Sequence, residues 1–284
     1  MTDKKIKISL FISNFFESIG SVFKVVLLSK FRTVIAEKTN SDAVILGNGP
    51  SLNYSLEHHL NFLKNKDVFC VNLFSSTHFY REIKPNNYIL LDEAFTDKNH
   101  DRANTALMHI VNDTNWPVNL HIPLRFKKSE HFIKNIEKNI NLKPIYFNYV
   151  IFSGFDFLRF WIYKNDWGMP QSQNVLVASI FRCVNMTYNN IFLLGADHTW
   201  HENIKLNADN EIIADDAHFY GNKSYEINKI GNKNESYLAK QFLSLHKAFK
   251  GYEVLGRYAD FRNVKIINAS KRSFIDVFEK IKLS

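Results

Sequence analysis

Short apolar runs recur along the chain, and each stops in a polar or glycine-bearing turn. Residues 43–46, AVIL, have no polar alternation, as a strand buried on both faces requires. They close in Gly47-Asn48-Gly49-Pro50-Ser51, and a first helix is predicted over residues 52–63. Further strands are predicted over 68–71, 88–91, 118–122, 191–194 and 264–267, with helical spacing between most of them. A basic helix is predicted to carry Lys127, Lys128, Lys134 and Lys138 as a solvated face. The aromatic tract 146–161, YFNYVIFSGFDFLRFW, reads as core strand and helix. Residues 175–184 read as a helix buried on most sides, entered from Ser172, a residue suited to capping. A helix over 235–248 and a closing helix over 274–281 complete the pattern. Strands alternating with helices predict an α/β fold: one Rossmann-like, mostly parallel, doubly wound sheet.

Two stretches depart from that alternation. Residues 4–35 are rich in Phe, Ile, Val and Leu, with Phe11, Phe15, Ile19, Val22 and Val26 at spacings of three and four among basic residues. Glu17 and Lys24 interrupt its longest windows, which argues against a membrane-spanning helix, and there is no small-residue cleavage site of secretory type. Two readings stay open: a helix lying on an anionic membrane, or one packed on the domain or on another subunit. Residues 199–235 turn polar and lose periodicity, and a structureless stretch that long suggests a lid over an active site. The expected organisation is therefore an N-terminal helical segment over 1–40 and a nucleotide-binding domain over 41–284.

Strand ends supply the candidate chemistry. In open α/β sheets ligands bind outside the carboxyl ends of strands. Gly47, Asn48, Gly49 and Ser51, then Asn72, Asp92, the pair Asp197 and His198, and finally Asn268 and Ser270 all follow predicted strands. Pro50 and Ser51 suit the first turn of a helix whose unpaired N–H groups favour an anion such as a nucleotide phosphate. With 284 residues, 45% of them hydrophobic, the chain can bury a large core. Its formal charge of +8 and pI near 9.2 favour phosphate-rich partners. Aromatics without alternating basic residues argue against nucleic acid among them. Cys70 and Cys183 lack metal-ligand spacing and read as buried thiols of a cytoplasmic protein.

In this order, ILGNGPSL at 45–52, DVFCVNLF at 67–74, Ser172-Gln173-Asn174 and IFLLGADHTW at 191–200 resemble a known group. They look like the CMP-sugar-dependent bacterial sialyltransferases of glycosyltransferase family 42, whose related domains occur in motility accessory factors and hydroxymethylpterin pyrophosphokinase-like proteins. The resemblance covers residue 43 to about 281. It implies donor contacts at Gly47, Asn48, Gly49, Ser51 and Asn72, and at Ser172, Gln173 and Asn174, which replace the family's Thr-Ser-Gly. It also implies a lid histidine at His218, in a stretch where Asn222 replaces the residue usually assigned as base. The family's phosphate-contacting tyrosines have no clear match, and the resemblance leaves Tyr220 and Tyr225 as the candidate substitutes. Asp92 stands where the sialyltransferases carry asparagine.

On this reading the base is His218, His198 or Asp92, and no metal or other cofactor is required. The partners are a CMP-linked sugar donor and a glycan or glycolipid acceptor, and the enzyme is cytoplasmic, peripheral on the inner membrane or assembled with further copies of itself. Two alternatives stand beside it. One is an ATP-dependent pyrophosphokinase of the hydroxymethylpterin type, with a metal held among Asp92, Asp197, Asp215 and Asp216. The other is a non-enzymatic membrane-associated binding protein.

Overall fold

The computed structural model describes residues 3–218, 221–226 and 236–283, with side chains described for 5–213 and 236–283. In chain order the elements are α1 (Asp3–Leu28), β1 (Asp42–Leu46), α2 (Ser51–His59), β2 (Asp67–Val71), α3 (Phe79–Ile83), β3 (Asn87–Ile89), α4 (Asp101–Asp113) and β4 (Val118–Pro123). There follow α5 (Glu130–Ile136), β5 (Leu142–Phe147), α6 (Asp156–Lys164), α7 (Val175–Asn185), β6 (Asn190–Leu194), β7 (Ile204–Leu206), β8 (Ile212–His218) and β9 (Gly221–Glu226). The last are α8 (Tyr237–Phe261), β10 (Lys265–Asn268) and β11 (Glu279–Lys280).

Eight strands form one parallel sheet in the order β11-β10-β6-β1-β2-β3-β4-β5. From β1 the chain winds outward through β2 to β5, then returns to place β6 on the other side of β1. The β1/β6 pair is therefore the point where the winding reverses, and a crevice opens there at the carboxyl ends. Side chains alternate across β1: Ala43 and Ile45 join the core under α7 and α8, and Val44 and Leu46 the core under α2, α3 and α4. Helices thus cover both faces, as the unalternating strand sequences predict.

Polar residues are buried where they fix the sheet's near edge. Asp67, at the start of β2, accepts hydrogen bonds from the Tyr188 hydroxyl (2.6 Å), the Thr39 amide (2.7 Å) and the side chains of Asn40 (2.9 Å) and Asn86 (2.6 Å). Burial opposes its charge, but these donors together hold its carboxyl below the usual range.

Three expectations are corrected. The polar stretch after residue 199 is not structureless: β7, β8 and β9 form a separate three-stranded antiparallel sheet. Its apolar positions, Ile204 and Leu206 on β7 paired with Ala214 and Ile212 on β8, are few and set among polar residues, too short a pattern to stand out in the sequence. The β7–β8 turn closes on Asn207, whose side-chain oxygen accepts the amides of Asp209 (3.0 Å) and Glu211 (2.8 Å). Helix α8 runs on to Phe261, past Gly251, because that glycine lets the helix approach the Gln171 carbonyl, which a Cβ would meet at 2.8 Å. No helix forms over 274–281. There Phe274 donates its amide to Asp197 and Ile281 its amide to Asn268, so the segment lies along the ends of β6 and β10 and finishes as β11.

For α1 both readings stay open. It packs on the domain not through its apolar stripe but through Ser18, Ser21 and Val25, which are buried. Ser18 Oγ accepts the Phe155 amide and Ser21 Oγ the Ser153 amide, each at 3.0 Å. Phe11, Phe15, Ile19, Val22 and Val26 are exposed. By length and composition residues 5–28 are also apolar enough to cross a membrane, the two interrupting charges notwithstanding.

Beneath α7 lies a fully enclosed ion pair, Arg182 Nη1 to Asp166 Oδ1 at 2.5 Å. Arg182 Nε and Nη2 and Asp166 Oδ2 have no hydrogen-bond partner among the described residues. Removing one member leaves the other charged and buried. Arg182→Met is expected to lower unfolding free energy by about 3–5 kcal/mol, read as a lower urea midpoint. Adding Asp166→Asn should recover most of that loss.

Candidate functional site

The crevice is built first from backbone. The Gly47 amide donates to the Leu194 carbonyl (2.7 Å) and the Gly49 amide to the Gly195 carbonyl (2.8 Å), which ties the loop after β1 to the loop after β6. Contact is too close for side chains: a Cβ on Gly47 would lie 2.5 Å from the Gly195 oxygen, and one on Gly49 2.5 Å from Asp197 Oδ1. Gly195 itself has φ 65°, a conformation that favours glycine.

Asp197 completes the closure by accepting both the amide (2.8 Å) and the hydroxyl of Ser51 at the start of α2. A carboxylate of the chain therefore sits where an external phosphate was expected, at the positive end of that helix. Burial pushes the Asp197 carboxyl up from its ordinary value, against the lowering effect of the two Ser51 hydrogen bonds and of Arg272. Ser51 is thus committed to positioning the loop and does not line the cavity.

A cavity of about 690 Å³ opens beside this closure. Of the residues singled out from sequence, Gly47, Asn48, Gly49, Asn72, Asp92, Ser172, Gln173, Asn174, Asp197 and His198 line it together. Asn268 and Ser270 do not. Asn268 donates to Ser273 Oγ (2.8 Å), and Ser270 Oγ accepts the Ala196 amide (2.9 Å), so both hold the β6 and β10 ends. His218 ends β8, and its side chain, like those of Asp215, Asp216 and Tyr225, lies outside the described residues, as does Tyr220 altogether.

On the cavity's second wall is the N-terminus of α7, capped by Asn174 and not by Ser172. Asn174 Oδ1 accepts the amides of Leu176 (3.0 Å) and Val177 (3.1 Å). The Ser172 hydroxyl instead donates to the Asn174 carbonyl (2.8 Å). Asn174 Nδ2 and, across the cavity lining, Asn48 Oδ1 are buried without a hydrogen-bond partner. One is a donor and the other an acceptor, and among the described residues neither finds a partner.

His198, at φ 57°, is packed against Trp200 and Tyr252, and its Nε2 hydrogen-bonds the Tyr252 hydroxyl. That hydroxyl also donates to Asn174 Oδ1 (3.1 Å), linking the β6 loop to the α7 cap through α8. Burial lowers the His198 pKa to about 3, so the ring is neutral at physiological pH. Asn72 has φ 46° and accepts the Leu91 amide on its side-chain oxygen (3.3 Å), joining the ends of β2 and β3. Asp92, exposed to the cavity, accepts the Ala94 amide (2.9 Å) at the start of the turn 93–96.

Sequence reasoning missed the far wall. Arg125 stands just beyond β4, its guanidinium 4.3 Å from the centre of the Tyr149 ring, with Nη2 donating to the Leu91 carbonyl (3.2 Å) and Nε 3.1 Å from Glu93. Tyr149, just beyond β5, donates to the Ser172 carbonyl (2.8 Å). Both follow strands, so the strand-end rule reaches them. Arg125 was masked by its basic neighbours, and Tyr149 by the aromatic tract around it. His100, Arg102 and Trp200 also line the cavity. Among the described residues no group of three or more His, Cys, Asp or Glu side chains is placed to hold a metal ion.

No family model matches the chain, and no curated protein matches it in sequence. Among solved structures it is similar to the MAf glycosyltransferase from Magnetospirillum magneticum AMB-1, with 12% identity and a TM-score of 0.49. That similarity covers 93% of this chain but only 37% of the other, so the chain spans little more than a third of its length.

The buried histidine gives the site a pH signature. An unfolded His198 takes up a proton below about pH 6.5, whereas the folded one does so only near pH 3. Stability present above pH 6.5 should therefore be lost as pH falls through that window, by up to about 1.4 kcal/mol per pH unit for the group. Buried His121 acts in the same sense, and Asp197 in the opposite one at the acid end. His198→Asn, which tolerates the positive φ, should flatten the dependence of urea midpoint on pH between 4 and 6. An unchanged slope would place the acid sensitivity elsewhere.

Proposed function

We propose that the chain is a glycosyltransferase that moves a sugar from a CMP-activated donor, of the nonulosonate or Kdo kind, to a hydroxyl of a surface polysaccharide or lipopolysaccharide. The observation that carries this reading is the pair of orphaned amide atoms, Asn48 Oδ1 and Asn174 Nδ2, in a cavity at the β1/β6 reversal. A neutral acceptor and a neutral donor in a half-buried wall suit a nucleoside's base and ribose, and about 690 Å³ is ample for a nucleotide with one sugar. The glycine turn brings bare backbone to the same wall. The motif resemblance supplies the cytidine identity and the sugar class.

Transfer requires the acceptor oxygen to attack the anomeric carbon while the bond to the phosphate oxygen breaks and CMP leaves with that electron pair. The acceptor's proton goes to a base. Asp92 is the described carboxylate best suited, since it faces the cavity with one oxygen spent on Ala94, whereas both oxygens of Asp197 are held by Ser51. His198 is too weakly basic and too enclosed for that task, and in this reading it positions the Asn174 cap through Tyr252. His218 is the competing base, brought by the β7–β9 sheet, which would act as a lid excluding water. Arg125 and Arg102 are the cavity's cations, suited to an anionic donor. The enzyme works in the cytoplasm, held at the inner face of the membrane by its N-terminal segment. The pyrophosphokinase alternative finds Asp197 and Asp92 engaged in separate loop contacts, with no described carboxylate cluster between them.

Thermal shift against a nucleotide panel tests the donor class: CMP or CDP should stabilise the protein in preference to AMP, UMP and GMP, by about 2.7 kcal/mol at a hundredfold excess over Kd. Preference for a purine would end the CMP reading. Asn48→Ala, and Asn174→Ser, which keeps a capping oxygen, should each weaken calorimetric CMP affinity about tenfold while leaving the melting temperature nearly unchanged. With a working donor and acceptor, Asp92→Asn should cut kcat about 100-fold or more at little cost in donor affinity. If instead His218→Ala shows that loss and Asp92→Asn does not, the base is on the β8 hairpin.

A further inference from the structure

An amphipathic helix on a globular domain ordinarily turns its apolar stripe inward. In α1 the relation is reversed. At about 100° per residue, Ser18, Ser21 and Val25 share the narrow face that touches the domain. Phe11, Phe15, Phe16, Ile19, Phe23 and Val26 fall within an arc of roughly 140° beside and opposite it, and all are exposed. The fit of the small face is specific. Gly154, at φ 120°, has no room for a Cβ, which would stand 2.1 Å from Ser18 Oγ, and the segment after α1 is held by paired hydrogen bonds between Lys30 and Asn148 (2.8 Å each). The helix is therefore docked in register with its apolar side turned out.

That side is continuous with the domain. Phe11 packs against Phe155 (5.3 Å between ring centres), and Phe155 stacks on Phe157, which opens α6 and is 76% exposed. One turn further along α6, exposed Trp161 meets Trp167 (4.9 Å), and Trp167 meets Phe31 beyond the end of α1 (5.1 Å). Around this surface, over residues 5–35, the exposed charges are Lys5, Lys7, Lys24, Lys30 and Arg32 against Glu17 alone. Aromatic side chains at the margin of an apolar face, with a surplus of cations, match the interface of a bilayer bearing anionic headgroups. A second copy of the chain would bring the same positive charge to the contact.

We infer that α1 and the first turns of α6 form one composite surface that seats the domain, in a fixed orientation, on an anionic membrane. Phe157 and Trp161 take part in that surface as well as the helix. The inference deepens the membrane location given above and is independent of the transferase chemistry. It also bears on the cavity: Gly154 under α1 is five positions along the chain from Tyr149 in its wall, a reach of at most about 18 Å. That wall is therefore held close to the lipid-facing helix.

Flotation of the full 284-residue chain tests this, using vesicles of phosphatidylcholine alone and with phosphatidylglycerol. The wild-type chain should float with the anionic vesicles, less well as salt rises, and poorly with phosphatidylcholine alone. Phe157→Ser combined with Trp161→Ser should weaken partitioning roughly tenfold while the chain stays folded with a small drop in melting temperature, since both side chains are exposed and each makes one aromatic contact. Flotation of that variant equal to wild type would overturn the composite surface and leave α1 as a lone anchor. No flotation, with sedimentation showing a dimer that Phe16→Ser and Phe23→Ser disrupt, would overturn the membrane in favour of a second copy. Neither result depends on any nucleotide, so either leaves the donor assay to stand or fall by itself.

Discussion

The contact between Asp197 and Ser51 governs the site. It joins the loop after β6 to the first turn of α2 across the point where the sheet reverses its winding, and it can form only because residues 47, 49 and 195 lack side chains. A buried carboxylate is costly unless it is hydrogen-bonded, and the helix end supplies the bonds. Once that end is occupied from within, α2 has no role as an anion site. The helix end that faces the cavity is α7's, and its amides in turn are capped by Asn174, so the wall presents a side-chain amide rather than bare N–H groups.

Rigidity of that second wall comes from unusual polar burial. Helix α7 is enclosed on almost every side, yet carries Ser179, Arg182 and Asn185, and each finds a partner: the Val175 carbonyl, Asp166 and the Tyr163 carbonyl respectively. A helix so enclosed cannot slide without breaking several of these at once. Tyr252 on α8 then links the α7 cap to His198, and Gly251 beside it lets α8 approach the Gln171 carbonyl and Val177. The orphaned atoms of Asn48 and Asn174 are accordingly held still, which is the condition for selective binding.

Where burial decides structure, the sequence was readable. AVIL, DVFCV and IFLL became β1, β2 and β6 within a residue or two, because a strand enclosed on both faces must be continuously apolar. The strand-end rule then brought Gly47, Asn72, Asp92, Asp197 and His198 to one cavity, and the motif resemblance added Asn174. Legibility failed where backbone hydrogen bonds decide instead. The small sheet of β7 to β9 has too few apolar positions to announce it, and residues 274–281, with Ile275 and Phe278 at helical spacing, are drawn out of a helix by the carbonyls of Asp197 and Asn268. The role of Ser51 was misjudged for a related reason: no local pattern says that a carboxylate 146 residues away will reach its amide.

Helix α1 shows the limit from the other direction, since its apolar period was plain but the face it would bury was not. Its seryl bonds to residues 153 and 155 contribute about 1 kcal/mol each, and Val25 adds little more than one buried aliphatic side chain, about 1.5–3 kcal/mol. The exposed arc carries several Phe, Ile and Val side chains, any few of which would outweigh that attachment if removed from water. What holds α1 to the domain is therefore weaker than what an apolar environment offers it. The domain sets the register of the helix through Ser18 and Gly154, whereas the surroundings set where its phenylalanines come to rest. A sequence pattern records the second demand without naming the surroundings, and only the small polar face, visible in three dimensions, shows that the domain itself is not the answer.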